Sequence, residues 1–444
     1  MPPPSTPSGG LTVSPEMSAI LAKPGLLTVE QGGQDLRDMY RKEISNLNVF
    51  LLAPFAMTVF IGHLDLVQAA IENGSAPALS STETPFQLSY ASLLILGSQR
   101  YKRGPVGSGR HLETLTYMFA HGLPKISLPD LLGYTALHHA TSSPYATDAL
   151  TRCLISNGAD VNARNRFGEI PLLAAMQLNL ISTIDILMEN GASLDIPEAD
   201  GWTARRHYIA CGPQVTAAVS RWIRRRAGEE APLSRKCCDT CNKAPSPGEP
   251  LKTCAQCRIA RYCSHPCQKT AWPAHKRTCT PFTPANTVTL TPHYKTYSWS
   301  LPTAELTRTA LGYPTRAAAW SESKRRTSAM PAQFEVDPDL DADSTRRGKN
   351  IIIKVQVPFV PDTGEASAPP AQPRPTVGDL LVYDRRRAFA CAIRRQDEPG
   401  AYDALVEVVH QRGVGGAKAY LSAVLERKDR LVVKISEVLA EQPW

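Results

Sequence analysis

Apolar residues between about positions 43 and 231 come in short blocks at helical spacing, broken by Gly-, Asn- and Pro-containing turns. Leu150, Cys153 and Leu154 share one helical face, and one period later Cys153 and Leu154 map onto Ile186 and Leu187. The pattern predicts pairs of short antiparallel helices whose apolar faces pack against their neighbours. The most apolar stretch, Leu47 to Gly62, is cut by Pro54 and followed by His63 and Asp65. A membrane span needs roughly 20 apolar residues, so a buried helical hairpin is expected there. Beyond residue 350 the period changes. Asn350 to Val357, Asp379 to Tyr383, Ala388 to Ile393 and Arg430 to Val438 read as strands, and Ala401 to Gln411 as an amphipathic helix through Tyr402, Leu405, Val406 and Val409.

The helical blocks repeat. One unit runs from Gly133-Tyr-Thr-Ala-Leu-His-His-Ala to Asn157-Gly-Ala-Asp-Val-Asn-Ala, and the next from Gly168-Glu-Ile-Pro-Leu-Leu-Ala-Ala to Asn190-Gly-Ala-Ser-Leu-Asp. Asn157 and Asn190 lie 33 residues apart, and these motifs closely resemble the ankyrin family, whose repeat has that period. Earlier units begin at Pro54 and Thr84, the second stretched by a polar insert at 98–110, and a fifth runs from Gly201 to the charged ending Arg221-Trp-Ile-Arg-Arg-Arg. The Gly after each terminal Asn or His suits a left-handed helix cap. The resemblance implies a helical-repeat solenoid of about five units over 43–231, in which His138 bonds the repeat's own backbone rather than acting in catalysis.

Composition adds flanking segments. Residues 1–42 are rich in Pro, Gly and Ser and are expected to be a flexible leader. The start has neither a basic nor an apolar signal region, so a cytoplasmic or nuclear location is expected, with no membrane. The chain's 37 prolines concentrate in linkers, among them an irregular stretch at 280–349 and a Pro-rich insert at 358–375. The expected fold class is therefore multidomain and mainly α, with a small α+β domain over 350–444.

Eight of the eleven cysteines fall within 237–279, several in C-x-x-C pairs, which without a secretory signal reads as metal ligation. The spacing is Cys238-x2-Cys241, Cys254-x2-Cys257, Cys263-x3-Cys267 and His275-x3-Cys279. Eight ligands make two closed tetrahedral zinc sites, structural rather than catalytic. Cys238 is preferred over the adjoining Cys237 by its spacing to Cys241. The run Tyr262-Cys-Ser-His-Pro-Cys-Gln-Lys-Thr-Ala-Trp-Pro-Ala-His-Lys-Arg-Thr-Cys279 resembles the MYND finger. That resemblance implies a cross-brace: Cys238, Cys241, Cys263 and Cys267 around one zinc, Cys254, Cys257, His275 and Cys279 around the other. It also implies a groove for short Pro-containing peptides at Gln268 and Trp272. Cys153, Cys211 and Cys391 are expected as buried thiols.

Charge narrows the partners. Residues 235–279 hold nine Lys or Arg against Asp239 and Glu249, so seven thiolates and two zinc ions leave about four positive charges. Nucleic acid is a conceivable partner, as in a transcription-associated regulator, but is not favoured, because Pro273 is expected to keep the last helix short and interrupted. No Asn-His pair follows the finger as in the MYND-containing SET-domain lysine methyltransferases, and no phosphate loop or nucleophile elbow occurs. The chain is expected to be a non-enzymatic adaptor, similar to the ankyrin–MYND proteins common in fungi.

Overall fold

The computed structural model describes residues 8–101, 107–125, 128–145, 147–228, 237–244, 251–257, 259–294, 348–358, 378–384 and 389–439. They fall into two compact units, one ending at Ala218 and one beginning at Val219. Among the described residues, no helix is long and apolar enough to cross a membrane. Parts of the expected insert at 98–110, the 280–349 linker and the 358–375 insert lie outside the described residues.

The first unit opens with α1 (Pro15–Leu21) and α2 (Gly33–Ser45), followed by a 3₁₀ turn at Val49–Leu51. Helix pairs then succeed one another: α3 (Pro54–Phe60) with α4 (Leu64–Glu72), α5 (Tyr90–Arg100) with α6 (His111–Ala120), α7 (Ala136–Thr141) with α8 (Asp148–Ser156), and α9 (Pro171–Gln177) with α10 (Ile181–Glu189). A short hairpin of β1 (Thr82–Glu83) and β2 (Leu88–Ser89) precedes α5, and α11 (Ala204–His207) and α12 (Pro213–Arg226) follow, the boundary between the two units falling within α12. Local chemistry sets the boundaries. Pro54 and Pro171 occupy first-turn positions where their missing N–H costs nothing, and Ser89, Thr135 and Thr203 cap helix starts through their hydroxyls. Gly158 and Gly191 close α8 and α10 at φ of 95° and 90°, values a Cβ would resist.

The first helices of the pairs pack in order, α3 on α5, α5 on α7 and α7 on α9, and the second helices do likewise from α4 to α10. Leu137, Leu154, Leu172, Ile184 and Leu187 are all 1% exposed or less. The repeated apolar face is thus consumed between successive pairs.

The expected flexible leader is not what the structure shows for residues 8–45. Leu11, Met17, Leu27, Leu36 and Tyr40 are buried. The segment is tied to the turns that open the later pairs. Leu27 N–H donates to the Arg166 carbonyl at 2.8 Å, and the Arg166 guanidinium donates to the Lys23 carbonyl at 2.6 Å. Val29 N–H donates to Asp200 at 3.1 Å, Arg37 pairs with Glu169 at 3.1 Å and stacks over Phe167, and the Tyr40 hydroxyl donates to Asp130. Pro, Gly and Ser content misled here because a few well-spaced apolar side chains suffice when a preformed surface receives them.

The second unit contains two small strands and α13, described below, and a six-stranded antiparallel sheet. Its strands are β5 (Thr287–Leu290), β6 (Lys349–Gln356), β7 (Leu380–Asp384), β8 (Ala390–Ile393), β9 (Lys418–Arg427) and β10 (Arg430–Lys434), in the order β5-β10-β9-β6-β7-β8. The helix α14 (Pro399–Arg412) lays Tyr402, Leu405 and Val409 into a core with Leu290, Ile353, Val382, Leu421 and Val433. Two strands escaped the sequence pattern. β9 is buried from Lys418 to Leu425, on both faces, so it lacks an alternating signature. β5 lies within the stretch expected to be an irregular linker, so the sheet begins before residue 290 rather than at 350.

Candidate metal centre

The finger is built on the hairpin of β3 (Lys252–Thr253) and β4 (Arg261–Tyr262), with Lys252 opposite Tyr262, followed by α13 (His265–Thr278). Ser264 caps α13 by accepting from the Cys267 N–H, while Pro266 occupies its first turn. Pro273 does not end the helix. Its ring removes one intrahelical N–H bond, yet α13 runs for 14 residues in all, so the expectation of a short, interrupted helix is corrected.

Two groups of side chains converge, Cys238 with Cys241, Cys263 and Cys267, and Cys254 with Cys257, His275 and Cys279. Within each group all donor atoms lie within 4.8 Å of one another. Cys241 and Cys263 are 3.6 Å apart at sulfur, Cys263 and Cys267 3.5 Å, Cys254 and Cys279 3.9 Å, and Cys257 Sγ lies 3.5 Å from His275 Nε2. These are far beyond a disulfide bond of about 2.05 Å. They match the edges of a tetrahedron with zinc–sulfur arms of about 2.3 Å, which are about 3.8 Å long. The two groups interleave along the chain, so each holds the other in place.

Electrostatics asks for a cation in both. Without one, the neighbouring sulfurs of Cys267 and Cys241, and then burial, push the Cys263 thiol up to about 12. Burial and the charge on Cys257 push Cys279 up to about 12. Burial also opposes ionisation of Cys238, but the N–H groups of Cys263, Cys241 and Thr240 outweigh it and bring that thiol down to about 6. Four clustered sulfurs in the first group and three in the second cannot all carry charge unless a divalent ion offsets them, and soft thiolates, alone or with one imidazole, are a zinc donor set. Two zinc ions fit the two groups.

Neighbouring contacts fix the loops that carry the donors. Asp239 accepts from the Arg261 N–H at 2.8 Å and its own N–H donates to the Arg261 carbonyl at 2.8 Å. The Thr240 hydroxyl donates to the Cys267 carbonyl at 2.8 Å. Tyr262 is buried against the His275 ring, edge to face at 6.2 Å.

Cys237 stands outside both groups, half-buried and 3.8 Å from the Asn242 side chain, and His265 is exposed at the start of α13. Gln268 and Trp272 are one turn apart on α13, with Trp272 36% exposed and its ring 5.9 Å from His275. Cys211 and Cys391 are buried, but Cys153 is only half-buried and lies 3.8 Å from the Thr116 hydroxyl. His138 links two successive helix pairs, α7–α8 and α9–α10. Its Nδ1 accepts from the Thr135 N–H at 3.1 Å, and its Nε2 meets the Glu169 carbonyl of the next unit at 3.0 Å.

Comparison with known proteins agrees with this architecture. The MYND finger profile matches residues 238–279, and the ankyrin repeat profile matches residues 132–166. The human histone-lysine N-methyltransferase SMYD3 is 55% identical over 42 residues, 10% of this chain and 9% of its own. A Danio rerio protein named as a palmitoyltransferase, ZDHHC13, is 30% identical over 155 residues, 34% of this chain and 21% of its own. A Rickettsia bellii (strain RML369-C) protein named for its ankyrin repeats is 39% identical over 69 residues, 15% of this chain and 28% of its own. The chain spans less than a third of the length of each, and the SMYD3 likeness covers 42 residues only. One chain thus carries a MYND finger at residues 238–279 and an ankyrin repeat at residues 132–166.

Proposed function

We propose that the protein is a zinc-dependent adaptor that joins protein partners and has no catalytic role. Cys238, Cys241, Cys263 and Cys267 hold one zinc, and Cys254, Cys257, His275 and Cys279 hold the second, in a cross-brace. With all four places filled at each ion, the metal holds the finger in shape and leaves no open position for water. The peptide groove is formed by Gln268 and Trp272 on α13 and takes short Pro-containing segments. The observation that carries this is Trp272, a large apolar side chain left 36% exposed beside a metal-fixed ring in a module with very little core of its own.

The helix pairs form an ankyrin solenoid of about five repeats that offers a second surface. Because residues 8–45 engage the turns at Asp130, Arg166 and Asp200, the second partner binds the faces this segment leaves open. Two modules on one chain raise affinity when both engage one partner. A cytoplasmic or nuclear site of action suits such a role.

The experiment is a fluorescence titration of Pro-containing peptides, selected on an array, against the zinc-loaded chain and its Trp272→Ala and Gln268→Ala variants. Loss of an aromatic anchor is expected to weaken binding by about 2 kcal/mol or more. Equal binding by all three would remove the groove from α13. The unbroken 14-residue α13, with Lys269, Lys276 and Arg277 exposed, keeps a nucleic-acid reading as second. Salt-sensitive duplex binding lost on neutralising those three residues would favour it.

A further inference from the structure

The last strand of the sheet ends in a lysine with no exposed side-chain surface, Lys434. A buried ammonium is costly unless its protons are bonded and its charge is met. Lys434 Nζ donates to the Thr280 carbonyl at 2.6 Å and to its hydroxyl oxygen at 3.0 Å, and it pairs with Glu437 at 3.2 Å. Its Nζ also lies over the Phe282 ring, 5.6 Å from the centroid. The Thr280 hydroxyl donates in turn to the other Glu437 oxygen.

Thr280 is the residue after Cys279. The segment that follows is tied at both ends. Phe282 N–H donates to the carbonyl of Gln256, which sits between Cys254 and Cys257, at 3.3 Å. Asn286 donates to the Pro281 carbonyl at 2.8 Å and accepts at its own carbonyl from the Ile435 N–H at 3.0 Å. Residues 280–286 therefore form a strap from the second ligand group to the end of β10, clamped by a buried charge. An exposed linker would need neither the lysine nor this many bonds.

We infer that β10 of the C-terminal sheet is a supporting wall of the second zinc site, with Lys434, aided by Glu437, acting as a positioning residue for Cys279. The inference rests on the reading that both donor groups hold zinc. It assigns the sheet a role: fixing the finger's last ligand, and with it the C-terminal end of α13.

The test uses the full chain, wild type and Lys434→Met, which keeps an apolar stem but removes the ammonium. Zinc is counted by elemental analysis. Each site is then followed separately after cobalt substitution, because a four-sulfur site and a three-sulfur, one-nitrogen site absorb at different wavelengths. Expected is metal release to a chelator about tenfold faster from the Cys254–Cys257–His275–Cys279 group, with the other group unchanged. Unchanged release from both groups, or equal acceleration of both, would overturn the inference. Wild-type protein that holds no zinc would instead defeat the underlying reading. Should the variant not fold, amide exchange in the wild type decides. Metal removal is expected to deprotect residues 431–435, and unaltered protection there counts against the coupling.

Discussion

At the scale of single residues, His138 shows how burial turns a titratable group into a structural one. Its side chain is 3% exposed and bonded at both ring nitrogens, and burial lowers its pKa to about 4. A histidine whose folded pKa lies below its unfolded value of about 6.5 stabilises the fold only while neutral. Its contribution is complete above about pH 6.5 and is lost as pH falls toward 4, in all about 3 kcal/mol. Acid denaturation of the wild type is therefore expected to steepen between pH 6.5 and 4, and His138→Gln to flatten that slope in thermal melts. An identical slope in both would place the pH dependence elsewhere, the buried His111 and the half-buried His207 being the next choices, since loss of solvent lowers both. The sequence frame around Thr135 allowed a bond to the repeat's own backbone. The second bond, to Glu169 of the next unit, depends on stacking, which a single repeat does not encode.

Among elements, the finger is the one least able to stand on regular structure. Its two strands have two residues each, and its buried apolar cluster is Cys238, Cys254, Cys257, Ala260 and Tyr262, three of them metal donors. So small a core does not offset chain entropy, whereas structural zinc contributes on the order of 10–16 kcal/mol per site at neutral pH. Zinc removal is expected to expose residues 237–279 to protease, with cleavage mapped by mass spectrometry. An unchanged cleavage pattern would mean that hairpin and helix hold without metal. The donors were legible in the sequence because ligand spacing is local and chemically demanding. The path of α13 through Pro273 was not, because a proline's effect depends on whether the turns on either side are held, and here Ser264, His275 and Cys279 hold them.

For the molecule as a whole, closure of the first unit over its own N-terminal segment departs furthest from expectation. Leu27, 0% exposed, bonds through its backbone to Arg166 across the unit. Leu27→Ala is expected to cost about 2–5 kcal/mol in the unfolding free energy of the first unit, read by denaturant titration. A dispensable leader would change it by about 0.5 kcal/mol or less. Periodicity and ligand spacing by themselves determined the repeat helices, the donor residues, and four of the strands with the helix among them, because each is written in neighbours a few residues apart. Only the tertiary structure decided that residues 8–45 fold onto distant turns, that β9 runs through the middle of the sheet, and that Lys434 reaches the residue beside Cys279. In each of these cases the stabilising partner lies far away in sequence. Burial on both faces, or by a remote surface, leaves no periodic trace in the segment itself.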